Sequence, residues 1–289
     1  MEASFDISTP EELAAMLEGK SDAEVEAEIA RLGLDVALDK VFDSMVERFL
    51  PERASEPGLS GAVILWRLQT PDGLRAYSMR LEAGTCTVEK GELPSPRVSL
   101  TTRIPVFLRV IAGRLNGLQA YSSGQLQVQG DQTLALLQQR FFDVDLSQAE
   151  LSISTPRELA RLLSGRSDAE IRAGTSVTGA ERALEQVFQG MVEHYLPRKG
   201  PRRRAVVEFS IRTDEGDKLY QFSADRGGAS YGKGSREKSS VRLMMSLPNF
   251  LRMVAGQLGG IEALAQGKVK VRGNILLARG VQSWFDMSR

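Results

Sequence analysis

The chain has 289 residues, enough for two domains that each close a hydrophobic core. Its apolar content of 42% and charged content of 26% are typical of a soluble globular protein, and its longest apolar run, residues 62–66, is far shorter than a membrane span. A single cysteine excludes an internal disulfide and the first residues lack the pattern of a secretion signal, so we expect a cytoplasmic protein.

The sequence contains two similar copies of one segment. Residues 8–24 return as residues 154–170, at an offset of 146. Residues 105–117 return as residues 248–260, at an offset of 143. The chain is therefore a tandem duplication, and residues kept in both copies serve the fold or a shared function.

The offset between the copies changes once, between Pro51 and Ala62. A surface loop is the place where a change of three residues costs least. We predict two homologous domains, over residues 1–146 and 147–289.

Each copy begins with helices that its sequence caps. Thr9 and Thr155 precede a proline, which suits the first helical turn, and acidic residues follow at the positive end of the helix dipole. A second helix is predicted to start at Ser21. A third, over residues 35–49, places apolar side chains at three- and four-residue spacing and ends at Pro51.

Strands follow, and the second copy shows them most clearly. Apolar and polar residues alternate over residues 205–212, which predicts a strand with one buried face. The turn at residues 213–216 makes the next strand its hairpin partner, and three further strands follow. In the first copy, helices are predicted over residues 104–115, 118–122 and 132–142.

In the first copy, residues 97–100, 107–113, 119–131 and 134–136 place glycines at fixed offsets from apolar positions. In this pattern they resemble the carboxy-terminal half of the sterol carrier protein type 2 domain, a non-specific lipid-transfer domain. The second copy is similar but has Asn274 where the family pattern has Asp, and both residues suit a turn. The resemblance covers about residues 36–142 and 182–285.

The resemblance implies an α+β fold in each copy: a five-stranded mixed sheet, layered with helices, that encloses an apolar tunnel for fatty acids, acyl thioesters, sterols or other lipids, without catalysis. The residues give a compatible picture, because methionine and aromatic side chains suit ligands of varied outline. Such side chains are otherwise ordinary core. The candidate ligand-binding residues are Phe42, Met45, Phe49, Trp66, Tyr77, Met79, Phe107, Ile111, Tyr121, Phe188, Met191, Tyr195, Phe209, Tyr220, Phe222, Phe250, Met253 and Val254.

Charge is divided unevenly along the chain. Residues 1–144 carry 14 Lys and Arg against 21 Asp and Glu, whereas residues 145–289 carry 23 against 16. The two halves either attract each other, or a basic segment of the second half meets an anionic membrane or an acidic protein. Nucleic acid is not expected, because no aromatic side chains interleave with this segment. Its cations are Arg198, Lys199, Arg202, Arg203 and Arg204.

Nothing in the sequence points to an enzyme. The one histidine, His194, most simply a surface residue on a helix, is replaced by Arg48 in the first copy, so the copies share no histidine dyad or multi-histidine metal site. Neither a phosphate-binding nor a dinucleotide-binding glycine motif occurs. We expect no catalysis, no metal and no cofactor.

The sequence thus predicts a non-enzymatic carrier with one apolar ligand in each domain. Arg103, Arg109 and Arg252 are candidates to meet an anionic ligand head. The alternative is a scaffold whose filled domains bind a protein. Val63 and Leu65, on an outward strand face, either form its exposed apolar patch or form the seam between the domains. A third possibility is that the first copy binds a ligand and the second has become a docking module.

Overall fold

The computed structural model describes residues 7, 9–54, 59–82, 84–149, 151, 153 and 155–286, so the repeated Ser8 and Ser154 lie outside the described residues. No helix in this described part is long and apolar enough to cross a bilayer. The predicted domain boundary at residue 146 stays a prediction. Two compact units, which we call the first and the second domain, comprise Met1–Leu151 with Ser176–Thr178, and Ser152–Thr175 with Gly179–Arg289.

The first domain contains a five-stranded sheet in the order β3-β2-β1-β4-β5. Strands β1 and β4 are parallel and the other neighbours are antiparallel, so the sheet is mixed. A 3₁₀ turn, Gln138–Phe141, completes what the sequence predicts as one last helix. In chain order the elements are α1 (Pro10–Leu17), α2 (Asp22–Leu32), α3 (Leu34–Glu47), β1 (Val63–Thr70), β2 (Gly73–Glu82), β3 (Thr85–Lys90), β4 (Val98–Arg103), α4 (Ile104–Ile111), α5 (Gly117–Ser122), β5 (Leu126–Gly130) and α6 (Gln132–Leu137).

The second domain repeats this arrangement, with sheet order β10-β9-β6-β7-β8 and one parallel pair, β6 with β9. Its last helix also continues into a 3₁₀ turn, Val281–Trp284. The predicted α+β class, with two five-stranded mixed sheets, is confirmed. The elements are α7 (Pro156–Leu163), α8 (Asp168–Thr178), α9 (Ala180–Glu193), β6 (Ala205–Thr213), β7 (Gly216–Asp225), β8 (Gly228–Lys233), β9 (Val241–Ser246), α10 (Leu247–Val254), α11 (Gly260–Ala265), β10 (Val269–Gly273) and α12 (Ile275–Gly280).

The first helix of each domain begins at the residue that the sequence predicts as its cap. The Thr9 hydroxyl accepts the Glu12 N–H at 3.2 Å, and the Glu12 carboxylate accepts the Thr9 N–H at 3.1 Å. Thr155 and Glu158 make the same reciprocal pair. Two of the free N–H groups at the start of each helix are thereby satisfied, which sets where the helix starts.

The outward face of the first sheet is covered. The strand pattern predicts Val63 and Leu65 as an exposed patch, but these residues are 5% and 0% exposed. The loop after β3 folds back over this face, since the Ser78 hydroxyl donates to the Gly91 carbonyl at 2.8 Å and accepts the Leu93 N–H at 2.9 Å. The predicted patch was therefore wrong, because alternation along one strand does not show which loop covers its second face.

The same face of the second sheet holds a buried carboxylate. Glu208 occupies the position of Leu65, and its Oε2 accepts from Ser235 Oγ at 2.7 Å and Gln221 Nε2 at 3.1 Å. Its Oε1 pairs with the Arg242 guanidinium. Burial raises the pKa of Glu208, but the two hydrogen bonds and the charge of Arg242 outweigh it and hold that pKa below its ordinary value. The carboxylate therefore stays ionised at neutral pH.

Candidate functional site

An apolar cavity lies inside the second domain, between the inner face of its sheet and the helices packed there. Residues of β6 and β9 line one side, and residues of α7, α9, α10 and α12 line the others. The cavity has a volume of about 50 Å³. The whole empty space between its walls, including the open mouth, is about 700 Å³. Its larger apolar side chains are Met191, Phe209, Met245, Phe250, Met253 and Phe285.

Packed aromatic rings fix parts of this wall. The Phe188 ring lies 5.4 Å from that of Phe209 and 5.2 Å from that of Phe250, centroid to centroid. The rings of Tyr195 and Phe285 are 6.3 Å apart. The methionine side chains of the wall have more rotatable bonds and adapt more easily to a guest. The cavity thus combines a rigid aromatic frame with a deformable part.

Polar groups are few in the cavity wall, and two of the three side chains that carry them are committed. The Gln282 amide bonds three backbone groups, and the Thr155 hydroxyl caps α7. His194 is half-buried rather than a surface residue, and its Nδ1 lies 2.9 Å from the Gly190 carbonyl oxygen. Because a carbonyl only accepts, Nδ1 carries the proton, which leaves Nε2 as an acceptor. No described residue bonds Nε2.

In the described part of the first domain, aromatic rings pack closely in the corresponding interior. Phe42 stacks on Tyr77 at 4.1 Å and on Phe107 at 5.2 Å, and Trp66 meets Phe107 edge-on at 5.0 Å. An apolar space beside Met45 is about 10 Å³, close to the minimum for one water. A larger groove of about 290 Å³ is lined mainly by polar side chains.

Three wall positions also differ in polarity between the domains. In the first domain each carries a nitrogen or oxygen atom that is buried and has no hydrogen-bond partner among the described residues. Burial lowers the pKa of one of them, the Arg48 guanidinium. The interior of the first domain is therefore both fuller and more polar. The counterparts of Phe209, Val281 and His194 are Trp66, Gln138 and Arg48.

The predicted ligand-binding residues fall into different places in the two domains, and their role in binding stays a prediction. Those buried in the core of the first domain are Phe42, Met45, Trp66, Tyr77, Met79, Phe107 and Ile111; Phe49 and Tyr121 are half-buried. Those that line the cavity of the second domain are Met191, Phe209, Phe250, Met253 and Val254. Those buried without lining it are Phe188, Tyr195, Tyr220 and Phe222.

The sequence analysis missed a glutamine that both domains use. The Gln139 amide accepts the Gly117 N–H at 2.7 Å and donates to the Val110 and Leu115 carbonyls at 2.9 and 3.0 Å. Gln282 does the same in the second domain. The duplication could have revealed this glutamine, because both copies keep glutamine at this position.

Arginines that the sequence offers for a ligand head are already paired. The Arg252 guanidinium pairs with Asp168 and donates to a backbone carbonyl of the loop before α8 at 2.9 Å. Arg109 and Arg103 both pair with Asp22 in the first domain. These contacts tie the start of the second helix of each domain, and the loop that joins it to the first helix, to the helix after the fourth strand, so the arginines act in the fold.

We expect Arg252→Met to loosen α7, which forms part of the cavity wall. The substitution removes the charged hydrogen bonds of Arg252 to Asp168 and to the loop carbonyl, worth roughly 1–2 kcal/mol at a partly exposed site. Amide hydrogen exchange in α7 should speed up about 5- to 30-fold, and a ligand should dissociate faster. Arg109→Met should loosen only α1 and leave ligand dissociation unchanged. Unchanged amide hydrogen exchange in α7 would contradict the structural role given to Arg252.

Both sheets belong to an α+β architecture with one parallel pair, between the first and fourth strands. The profile of the SCP-2 sterol transfer family matches residues 52–143 and 198–286. The chain therefore belongs to this family, as a tandem duplicate of its domain. Helices α1–α3 and α7–α9 precede the matched ranges, so part of the cavity wall comes from outside them. No curated protein matches the chain.

Solved structures are similar to parts of the chain. Sterol Carrier Protein 2 from Yarrowia lipolytica, in its apo form, is 22% identical over 27% of this chain and 64% of its own, with a TM-score of 0.25. Sterol Carrier Protein 2 Like 2 from Aedes aegypti is 22% identical over 36% of this chain and 94% of its own, with a TM-score of 0.30. The sec-alkylsulfatase Pisa1 from Pseudomonas sp. is 15% identical over 62% of this chain and 30% of its own, with a TM-score of 0.33. The matches thus span less than two thirds of the Yarrowia and Pseudomonas proteins.

Proposed function

We propose that the protein is a non-catalytic carrier of hydrophobic small molecules and that its second domain holds the ligand. The observation that carries the proposal is the apolar cavity between α9, α10 and the sheet. Membership of a sterol transfer family supports a lipid as the ligand. The sequence predicts a tunnel in each domain, but we assign one ligand to each chain, because packed rings occupy the interior of the first domain and the apolar space beside its Met45 is the size of one water.

The size of the cavity limits what enters without rearrangement. Its 50 Å³ accepts about four methylene-sized groups, worth roughly 3 kcal/mol of gross burial. A chain of about ten methylenes would gain roughly 8 kcal/mol but needs Met191, Met245 and Met253 to move aside. After the costs of association, a micromolar Kd is expected for such a ligand.

His194 offers a partner to the polar end of the ligand. Its neutral ring presents Nε2 as an acceptor, which suits a hydroxyl group, and its protonated ring would donate to a carboxylate. The remaining wall is almost entirely apolar. We therefore propose an amphipathic ligand, with its chain among the methionines and its head at His194.

The absence of catalysis is part of this proposal. The described residues contain no group of three His, Cys, Asp or Glu side chains that could hold a metal ion. Burial raises the pKa of the Cys86 thiol to about 11, so the thiol stays protonated at neutral pH. The scaffold alternative loses the patch that the sequence offered for it, because Val63 and Leu65 are buried. A cytoplasmic location stays a prediction from the sequence.

A displacement titration tests the proposal. A fluorescent fatty acid should bind the chain with a micromolar Kd, and unlabelled alcohols or acids should displace it with affinity that rises about fourfold for each added methylene. His194→Phe should weaken binding of an alcohol more than binding of an alkane of the same length. The proposal fails if no fluorescent fatty acid binds the chain, or if one binds and no aliphatic ligand displaces it.

A further inference from the structure

Four chain segments lie next to one another at one end of the sheet in the second domain. The parallel and antiparallel registers bring the starts of β6, β8 and β9 together with the end of β10. The Ser240 N–H donates to the Val206 carbonyl at 2.8 Å, and the Asn274 N–H donates to the Ser240 carbonyl at 3.2 Å. We call this surface the basic end. Its segments are residues 197–204, 225–228, 237–240 and 272–276.

The basic end carries eight cations and two acids. All eight cationic residues are exposed. Arg204 pairs with Glu237 at 2.5 Å, and the other seven have no acidic partner among the described residues. The charge of this surface is therefore largely uncompensated. The cations are Arg198, Lys199, Arg202, Arg203, Arg204, Arg226, Lys238 and Arg272.

Two large aliphatic side chains stand exposed among these cations. Ile275 is 54% exposed and Leu276 is 78% exposed, at the start of α12. The same helix contributes Ala278 to the cavity wall, and Arg198 follows the cavity residue His194 by four positions. The basic end is thus within a few residues of the cavity wall along the chain.

The first domain shows that the fold does not require this surface. The corresponding segments, residues 51–61, 82–85, 94–97 and 129–133, carry two cations and four acids. The counterparts of Ile275 and Leu276 are the polar residues Gln132 and Thr133. Both the charge and the exposed apolar side chains therefore belong to the domain that has the cavity.

We infer that the basic end docks the second domain on an anionic lipid bilayer, with Ile275 and Leu276 entering the headgroup region. Clustered cations are attracted to anionic lipids, and exposed aliphatic side chains gain by leaving water at the same surface. An acidic protein would match the charge alone, whereas a bilayer matches both features and is also a source of the apolar ligand. The inference extends the proposed function to the place where ligand is exchanged.

Vesicle sedimentation tests this docking. The full chain should bind phosphatidylcholine vesicles that contain phosphatidylserine, and not vesicles of phosphatidylcholine alone. Arg202→Ser with Arg203→Ser should weaken binding roughly 30-fold, at ~1 kcal/mol for each cation lost. A matched pair that removes the same charge elsewhere, Arg161→Ser with Arg212→Ser, should change it less than about threefold.

Ile275→Gln with Leu276→Thr installs the residues of the first domain and should weaken vesicle binding about tenfold. Absence of binding to the anionic vesicles, or equal losses in the two arginine pairs, would overturn the inference. So would a change of oligomeric state in the Ile275 and Leu276 variant without vesicles, which would assign the surface to a second copy of the chain. Docking that persists when fatty-acid displacement fails would uphold this surface and overturn the cavity proposal instead.

Discussion

Replacing Phe209 by tryptophan and Val254 by isoleucine is expected to weaken ligand binding roughly 10- to 100-fold without unfolding the second domain. Both residues line the cavity. The first domain has Trp66 and Ile111 at these positions, and the apolar space beside its Met45 is about 10 Å³. A ligand would have to displace the added groups at ~1–3 kcal/mol. Fluorescent displacement, with circular dichroism as a check on folding, measures the effect.

The reciprocal change in the first domain is the matched control. Trp66→Phe with Ile111→Val should cost the first domain roughly 1–3 kcal/mol of stability, because it removes buried atoms from a packed core. It should leave the affinity measured for the second domain unchanged. A folded Phe209 and Val254 variant that binds ligand as tightly as the natural chain would refute the location of the site.

Arg242→Ser is expected to destabilise the second domain by about 2–3 kcal/mol. The change leaves the fully buried Glu208 carboxylate without its cation, and removing one partner of a buried pair costs ~3–5 kcal/mol. The effect is smaller here because the Arg242 side chain is 41% exposed. Adding Glu208→Leu to Arg242→Ser recreates the Leu65 and Ser99 of the first domain and should restore most of the loss. Urea unfolding of both variants measures this.

The Glu208 carboxylate should also make the stability of the second domain depend on pH. Since the pKa of Glu208 is lowered in the folded state, its stabilisation is fully present above the unfolded value of about 4.3 and is lost as the pH falls through the folded value. Between pH 7 and pH 3, the natural chain should therefore lose more stability than the Glu208→Leu, Arg242→Ser variant. Parallel losses in the two proteins would show that Glu208 does not contribute in this way.

Local patterns predict much of the fold, because they are set by neighbouring residues. Alternation over residues 205–212 predicts β6, which runs from Ala205 to Thr213. The Thr-Pro pairs at Thr9 and Thr155 predict where α1 and α7 begin, since a cap and its partner lie within one turn. The duplication doubles each of these signals.

The cavity was less predictable, because it depends on small differences between side chains that meet from distant parts of the chain. Trp66 and Phe209 occupy equivalent strand positions and both are buried, yet only the second lines an open space. The wall contributed by Pro156 comes from a helix that precedes the sheet by many residues. His194 at the end of α9 is predicted as a surface residue, but it is half-buried and lines the cavity.

A crystal structure of the chain with a brominated fatty acid tests the central claim most directly. One anomalous bromine peak is expected in the second domain, between Phe209 of the sheet and Met253 of α10, with the ligand head near His194. The first domain should contain no peak. A peak inside the first domain, or a ligand bound only on the surface, would contradict a carrier site formed by the cavity of the second domain.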